Sequence, residues 1–357
     1  MDAAGRPLRV LLAHELYPPD FAGGGEYIVV NIARSLRERG HDVRVVTTGD
    51  PAVTSHAGIP THRLPVSRYR MNFAWRELEQ AAREADVVHA FTYHALYPSW
   101  RAARAFGKPY VCGVLALFGD VWLEMRGPVA GRLWRAAEDH LLSLPCDIRL
   151  HLSDFSRDLA IARGLGGGPD RVNVPGIIAA EFHSGAKDEV LFTGKLDVRK
   201  GIDLVMEVAR RLPEVPFRLV GWGERFVELD AARPPNVTLE QRPEGRQHYV
   251  DALARARVFL FPTKVETFGL VVPEAMAAGC AIVSTSPLPF EGVRIAQDDV
   301  EAATRAVAAL WNDPARCAEI GARNQAAARQ FDWAVHAENL ERIYGELIAR
   351  RAGKVAA

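Results

Sequence analysis

An α/β architecture of two doubly wound, parallel-sheet domains is what the sequence predicts, and three observations predict it. Short apolar runs recur along the 357 residues, each followed by a helical stretch with one apolar stripe; strands alternating with helices form βαβ units and a parallel sheet. The alternation breaks at Gly164-Leu165-Gly166-Gly167-Gly168 with Pro169-Asp170, breaks again at Pro175-Gly176, and then restarts. A chain of this length suits two domains of roughly 150–200 residues.

The elements follow in order. Residues 9–13 are a short apolar run and read as a buried strand. A loop spans 14–24, and a helix begins at Gly25, with Val29, Ile32, Ala33 and Leu36 at i, i+3, i+4, i+7 and a glycine stop at Arg39-Gly40. Strands are expected at 43–47, 87–90, 110–114 and 148–152, and helices at 75–84, 99–106, 131–144 and 156–163. After the break, 190–192 reads as a strand and 201–212 as a helix, with Val205, Val208, Ala209 and Leu212 repeating the stripe. Strands at 217–220, 258–261 and 281–284 and helices at 273–278, 300–311 and 314–330 complete the second half. A last helix, 333–349, has no strand after it. The domains are taken as 1–180 and 181–330, with a terminal segment 331–357. Ligands of open α/β sheets sit outside the carboxyl ends of the strands, so two such domains would place their loops around one cleft.

Composition excludes several classes. Lysine plus arginine total 44 and aspartate plus glutamate total 44, a net charge of zero that argues against a nucleic-acid polymer as partner. With 48% apolar residues the chain fills real cores and is not a disordered polyelectrolyte. Cysteines stand at 112, 146, 280 and 317 without a CxxC pair, which speaks against zinc and disulfide scaffolds and for a reducing compartment. The apolar run at 10–13 is too short for a signal peptide and is soon followed by Glu15 and Pro18-Pro19-Asp20. The expectation is a soluble, cytoplasmic protein, with peripheral contact at the inner membrane face left open.

Three constellations carry chemistry. Gly23-Gly24-Gly25 lies between the first strand and helix, where glycine admits a ligand close to backbone and the helix start offers N–H groups to an anion; it is not GxGxxG, and a plain flexible loop is the competing reading. Gly194-Lys195-Leu196-Asp197-Val198-Arg199-Lys200-Gly201 places three cations between a strand and a helix start, an arrangement suited to phosphate because cations there are otherwise unfavourable. The third runs from Glu266 to Gly279, two glutamates with seven residues between them, Glu266 and Glu274, interrupted by Gly269 and Pro273. Pro273 is expected at the first helical position and Gly279 at the stop, which puts Glu274 in the first turn; an ionised carboxylate there suits a diol such as ribose. Two unrelated surface glutamates are the alternative.

With these motifs the chain resembles the retaining, nucleotide-sugar-dependent glycosyltransferases of family 4, of GT-B fold. The likeness covers nearly the whole length: Pro18-Pro19, Gly24-Gly25-Glu26 and Arg39-Gly40-His41-Asp42-Val43 at the start, Gly194-Lys195-Leu196 with Lys200-Gly201, Gly221-Trp222-Gly223, the E-x7-E segment, and Phe331-Asp332-Trp333. The resemblance implies an N-terminal acceptor-binding domain, a C-terminal donor-binding domain and a last helix that crosses back to the first. It implies that Glu274 binds ribose hydroxyls, that Glu266 contacts the donor sugar near the anomeric centre, and that Lys195 and Lys200 hold the diphosphate. The same resemblance gives Phe268, Gly269, Leu270, Gly24, Gly25 and Arg242 to the donor, a UDP-sugar or GDP-sugar, and sends the sugar to an acceptor hydroxyl in cell-envelope glycan, glycolipid or specialised-metabolite synthesis. Lysines holding the diphosphate need no metal, and no cofactor is expected.

The sequence departs from that pattern in places. Leu115 stands where many relatives carry a histidine, and residues 285–291 lack the family's glycine pair. Glu26, His89, Asp120 and Trp122 are candidates for the acceptor side, against structural readings of the same residues. Arg68, Arg70, Trp75, Arg76, Trp100, Arg101 and Arg104, interleaved with Glu77, Glu79 and Glu84, suit an anionic acceptor, a membrane surface or simply a solvated face. Leu115 also keeps open a nucleotide-sugar-binding protein without catalysis; two Rossmann-like halves keep open, more remotely, a nicotinamide oxidoreductase.

Overall fold

The computed structural model describes residues 6–20, 23–241 and 245–355. The chain forms two compact units, Met1–Gly176 with Trp333–Ala357, and Ile177–Asp332.

The first unit contains β1 (Arg9–Ala13), α1 (Gly24–Glu38), β2 (Asp42–Thr48), β3 (Ser55–His56), β4 (Ile59–Leu64), α2 (Trp75–Glu84), β5 (Val87–Phe91), α3 (Leu96–Ala105), β6 (Tyr110–Val114), α4 (Val121–Arg126), α5 (Pro128–Leu142), β7 (Ile148–His151), α6 (Asp154–Ala162) and β8 (Asp170–Val172). Its sheet has the order β3-β4-β2-β1-β5-β6-β7-β8, parallel except for the β3/β4 hairpin. The second unit contains β9 (Glu189–Lys195), α7 (Ile202–Arg211), β10 (Phe217–Trp222), α8 (Phe226–Ala232), β11 (Val237–Gln241), α9 (Arg246–Arg255), β12 (Ala256–Phe261), α10 (Val271–Ala277), β13 (Ala281–Ser284), β14 (Gly292–Arg294), α11 (Val300–Trp311) and α12 (Pro314–Ala328). Its sheet, β11-β10-β9-β12-β13-β14, is wholly parallel and follows the doubly wound order.

The central strands are buried on both faces, which is why they read as unbroken apolar runs. Val190, Leu191, Phe192, Val258, Phe259 and Leu260 are all fully buried. The helix α13 (Trp333–Val355) belongs to the first unit, where it packs on α1 and buries Leu340 and Tyr344. Glu341 on α13 accepts from Arg39 at 2.5 Å and pairs with His41 Nε2 at 2.6 Å, tying the two helices at their polar edge.

Several expectations are corrected. The glycine-rich break before Asp170 leads straight into edge strand β8, and β3, β4, β11 and β14 are further strands the apolar runs did not announce. These strands are short or half-exposed, so their signal is weak. Helix α10 starts at Val271, not at Pro273. Proline at the third helical position is tolerated because its missing N–H is one of those with no intrahelical partner anyway. The stop at Gly279 is as expected: φ is +70°, the Gly279 N–H donates to the Met276 carbonyl at 2.9 Å, and the Cys280 N–H to the Ala275 carbonyl at 3.0 Å.

Candidate active site

In the second unit, β9 and β12 are hydrogen-bonded neighbours whose helices leave on a doubly wound plan, so the loops at their carboxyl ends meet at the switch point of the sheet. The first of these loops carries a 3-10 turn, Val198–Lys200, ending at Gly201 with φ of +71°. A Cβ on Gly201 would lie 2.1 Å from the Pro262 carbonyl oxygen, so only glycine lets the two loops approach this closely. The Lys264 N–H donates to the Arg199 carbonyl at 2.7 Å and the Thr263 hydroxyl to the same oxygen at 3.2 Å, bracing the loops.

That brace brings Lys200 to Glu266. The Lys200 ammonium donates to Glu266 Oε2 at 2.5 Å and stands 5.6 Å from the centre of the Phe261 ring. The two side chains keep 22% and 17% exposure, so the pair is reachable from solvent. Gly269 has φ of +81°, and a Cβ there would sit 2.8 Å from Glu266 Cγ. Neither the Gly269 N–H nor the Leu270 N–H donates to another group among the described residues. Lys195, at the end of β9, is half-exposed and 3.9 Å from Asp197.

Glu274 is held separately. It is buried on α10, with Oε1 accepting from Arg246 at 3.0 Å and Oε2 from the Tyr249 hydroxyl at 2.5 Å. Burial pushes its carboxyl above the usual carboxylate range, while Arg246 and Tyr249 pull it back down. Arg246 also reaches Glu181 and lies 5.4 Å from the Phe182 ring centre. The two E-x7-E glutamates thus have different cations, Lys200 for one and Arg246 for the other.

Arg246, Tyr249 and Glu181 were missed by sequence reasoning. The available signal was the i, i+3 spacing of Arg246 and Tyr249 just after Gly245, which puts both on one face of a first turn. Arg242 lies outside the described residues. Phe268, expected at the donor, has its ring buried edge-on against Phe331 at 5.8 Å, which leaves its backbone alone for a ligand.

The first unit places the acceptor-side candidates differently from one another. Gly24 opens α1 with open space where a Cβ would be, and a Cβ on Gly25 would lie 3.5 Å from Leu115 Cδ1. The glycine segment and the position of the absent histidine are therefore adjacent. Glu26 is buried and its Oε2 accepts from the Gly23 N–H at 2.9 Å, capping the helix. His89 is no surface contact: it is buried, Nδ1 pairs with the Tyr344 hydroxyl at 2.7 Å, and burial drives its pKa down to about 3. Trp122 is buried too, stacked on Trp134 at 5.3 Å and donating from Nε1 to Glu138 at 3.1 Å. Asp120 is exposed and paired with Arg135.

Glu138, on α5, is the unpredicted centre of this region. Its buried carboxylate accepts from the Tyr93 hydroxyl at 2.7 Å, Phe118 N–H and Gly119 N–H at 2.9 Å, Trp122 Nε1 at 3.1 Å and Arg163 at 2.8 Å. Glu15, also buried, accepts from the N–H groups of Tyr93 and His94 at 2.9 and 3.1 Å. The loops at the carboxyl ends of β5 and β6 are thereby fixed by two carboxylates.

Two parallel-sheet α/β units with a solvent-reached ammonium–carboxylate pair at a sheet switch point suit an enzyme of anionic substrates, and comparison with known proteins gives the class. Residues 23–175 match the family described as glycosyl transferase 4-like domain, and residues 187–313 the family described as glycosyl transferases group 1. The chain belongs to this glycosyltransferase family, of GT-B fold. It is 27% identical to a phosphatidyl-myo-inositol mannosyltransferase of Mycobacterium tuberculosis, over 95% of this chain and 97% of that protein. Among solved structures it resembles sucrose-phosphate synthase of Thermosynechococcus elongatus, with TM-score 0.82 and 19% identity over 96% of this chain and all of that one. It also resembles Anabaena HepE solved in complex with UDP-glucose, with TM-score 0.77 and 18% identity over 95% of this chain and all of that one. The nicotinamide alternative falls with this assignment.

Proposed function

We propose that the protein is a retaining, metal-independent glycosyltransferase that moves a hexose from a UDP- or GDP-sugar to an acceptor hydroxyl in cell-envelope glycolipid synthesis, working in the cytoplasm. The observation that carries the reading is the Lys200–Glu266 pair at the switch point of the doubly wound unit, with the second glutamate of the motif, Glu274, buried on the helix that follows. An ammonium has three N–H donors, and Glu266 takes one of them, so two remain for diphosphate oxygens. As the glycosidic bond lengthens, negative charge grows on the leaving diphosphate; Lys200, Lys195 and the Gly269 and Leu270 amides meet it with fixed positive ends. The anomeric carbon becomes oxocarbenium-like, which the Glu266 carboxylate favours. A carboxylate has about four lone-pair sites, so Glu274 can keep Arg246 and Tyr249 and still accept from two ribose hydroxyls. Same-face attack, with the leaving phosphate oxygen taking the acceptor proton, would give retention. The mannosyltransferase and the UDP-glucose complex among the relatives support a hexose on a nucleotide.

The test is a nucleotide-sugar panel scored for donor hydrolysis and transfer with chelator present. Lys200→Ala should lower turnover by about 10²–10³, and Glu274→Ala should weaken nucleotide binding with a smaller effect on turnover of bound donor. An α-linked donor should give an α-linked product by proton NMR. Wild-type turnover in both variants sinks the assignment, and a β-linked product sinks retention. Leu115 beside Gly25 favours a second reading, a nucleotide-sugar binder without transfer; tight nucleotide binding with no hydrolysis of any donor would select it.

A further inference from the structure

One face of the first unit carries features that the transfer chemistry does not use. Val129, Phe73 and Leu133 are 73%, 69% and 69% exposed, three of the four most exposed large apolar side chains among the described residues. Val129 and Leu133 stand one turn apart on α5, and Phe73 ends the 3-10 turn Arg68–Phe73. Ring contacts join these elements: Tyr69 lies 6.2 Å from Trp134 and 5.1 Å from His94, and His94 bonds Asn72 at 2.8 Å. Arg68 and Arg126 lie over the Tyr69 and Trp134 rings at 5.1 and 5.7 Å. Arg68, Arg70, Arg126 and Arg132 are all exposed, and none is ion-paired with a carboxylate among the described residues. Of the exposed carboxylates at α4, Asp120 is already neutralised by Arg135, leaving Glu124.

We propose that this face docks on a bilayer surface containing anionic phospholipid. Apolar tips flanked by unpaired arginines, with Tyr and Trp rings between the two, are the composition that settles at the headgroup boundary. The aliphatic and aromatic tips enter the acyl boundary, and the guanidiniums take lipid phosphates, which they match in charge and bidentate geometry. A second copy fits the same face poorly, because a two-fold contact would set arginines against arginines. The inference is independent of the transfer reaction, since docking needs no donor.

The experiment is flotation of the full chain with phosphatidylcholine vesicles, with and without phosphatidylglycerol. Binding should require phosphatidylglycerol and fall steeply between low salt and about 0.5 M salt, where the Debye length shrinks to a few ångströms. Each arginine at an anionic surface contributes about fivefold in partition, so Arg70→Ser with Arg132→Ser should cost roughly 25-fold. Phe73→Ser with Leu133→Ser should lower binding at least as far, with unchanged circular dichroism and unfolding midpoint because both side chains are already in solvent. Val227→Ser, an equally exposed apolar side chain on the other unit, should bind like wild type. Wild-type binding in both double variants, equal binding to neutral vesicles, or self-association through this face without vesicle binding would each overturn the proposal.

Discussion

His89 allows a stability prediction whose size follows from the structure. It sits in β5, fully buried, with Nδ1 on the Tyr344 hydroxyl and Nε2 without a hydrogen-bond partner among the described residues. Burial holds its pKa down to about 3, and His336 on α13, likewise buried, has a pKa of about 4. An unfolded histidine titrates near 6.5. Above that pH neither state binds the proton and His89 adds no pH dependence. Below it the unfolded chain takes a proton that the folded chain refuses, so stability falls as pH drops from 6.5 towards 3. Between pH 8 and pH 5 the unfolded state gains about 2 kcal/mol at this one residue. His89→Asn cannot titrate, so comparing it with wild type removes the background of other titrating groups. In urea unfolding followed by tryptophan fluorescence, the variant should be the less stable protein at pH 8, and its deficit should shrink by about 2 kcal/mol at pH 5. Adding His336→Asn should narrow the gap by about 2 kcal/mol more. If the wild-type and His89→Asn stabilities run parallel from pH 8 to pH 5, the buried-neutral account of His89 is wrong.

Two further predictions concern the loops. Glu138→Gln replaces an acceptor-only group facing five donors with an amide that turns N–H groups towards some of them. Unfolding free energy should fall by about 2–5 kcal/mol, and a change below about 0.5 kcal/mol would show that the carboxylate is not the hub. Gly201→Ala puts a methyl against the Pro262 carbonyl at a positive φ, and strain of about 1–3 kcal/mol should part the Lys200 and Glu266 loops. Turnover per bound donor should drop by about tenfold or more with the fold retained, read as kcat against nucleotide affinity, and unchanged kcat would refute the need for that close approach.

The sequence disclosed what lies in or next to buried parallel strands. Their two covered faces turn β1, β5, β9 and β12 into apolar runs, and the loops after β9 and β12 then place Lys200 and Glu266 at one crevice. Edge strands β3, β8, β11 and β14, and β4 next to an edge, were illegible because a half-covered or very short strand carries little pattern. Arg246 and Tyr249 follow one of these edges, so only Gly245 and their own i, i+3 spacing marked a helix start, and their partner Glu274 lies 28 and 25 residues further on. Aromatic and histidine side chains misled in the opposite direction. His89 lies within β5, Trp122 on the helix after β6 and Phe268 in the loop after β12, all in strand-to-helix segments where a ligand contact and a core contact share the same sequence pattern. Only the neighbour decides: Tyr344, Trp134 and Phe331 arrive from 255, 12 and 63 residues away.

The two units use one topology for opposite electrostatic ends. In each, the first strand lies beside the strand that starts the second half of the sheet, β1 beside β5 and β9 beside β12. In the first unit the crevice is closed from within: Glu15 spends its carboxylate on the N–H groups of Tyr93 and His94, and Glu138, with a side chain 1% exposed, takes five donors. Such a carboxylate has no free capacity to exchange with a ligand, and removing its partners strands a buried charge. In the second unit the Lys200–Glu266 pair is one that water still reaches, so a ligand anion could share its ammonium without uncovering a buried charge. Buried charge therefore sets loop shape in the first unit, and the second unit holds both kinds, Glu274 buried and the Lys200–Glu266 pair within reach of solvent. The overall neutrality of 44 cations against 44 anions is the sum of such local pairings, and it conceals one solvent-reached ammonium, that of Lys200, which an incoming anion could share.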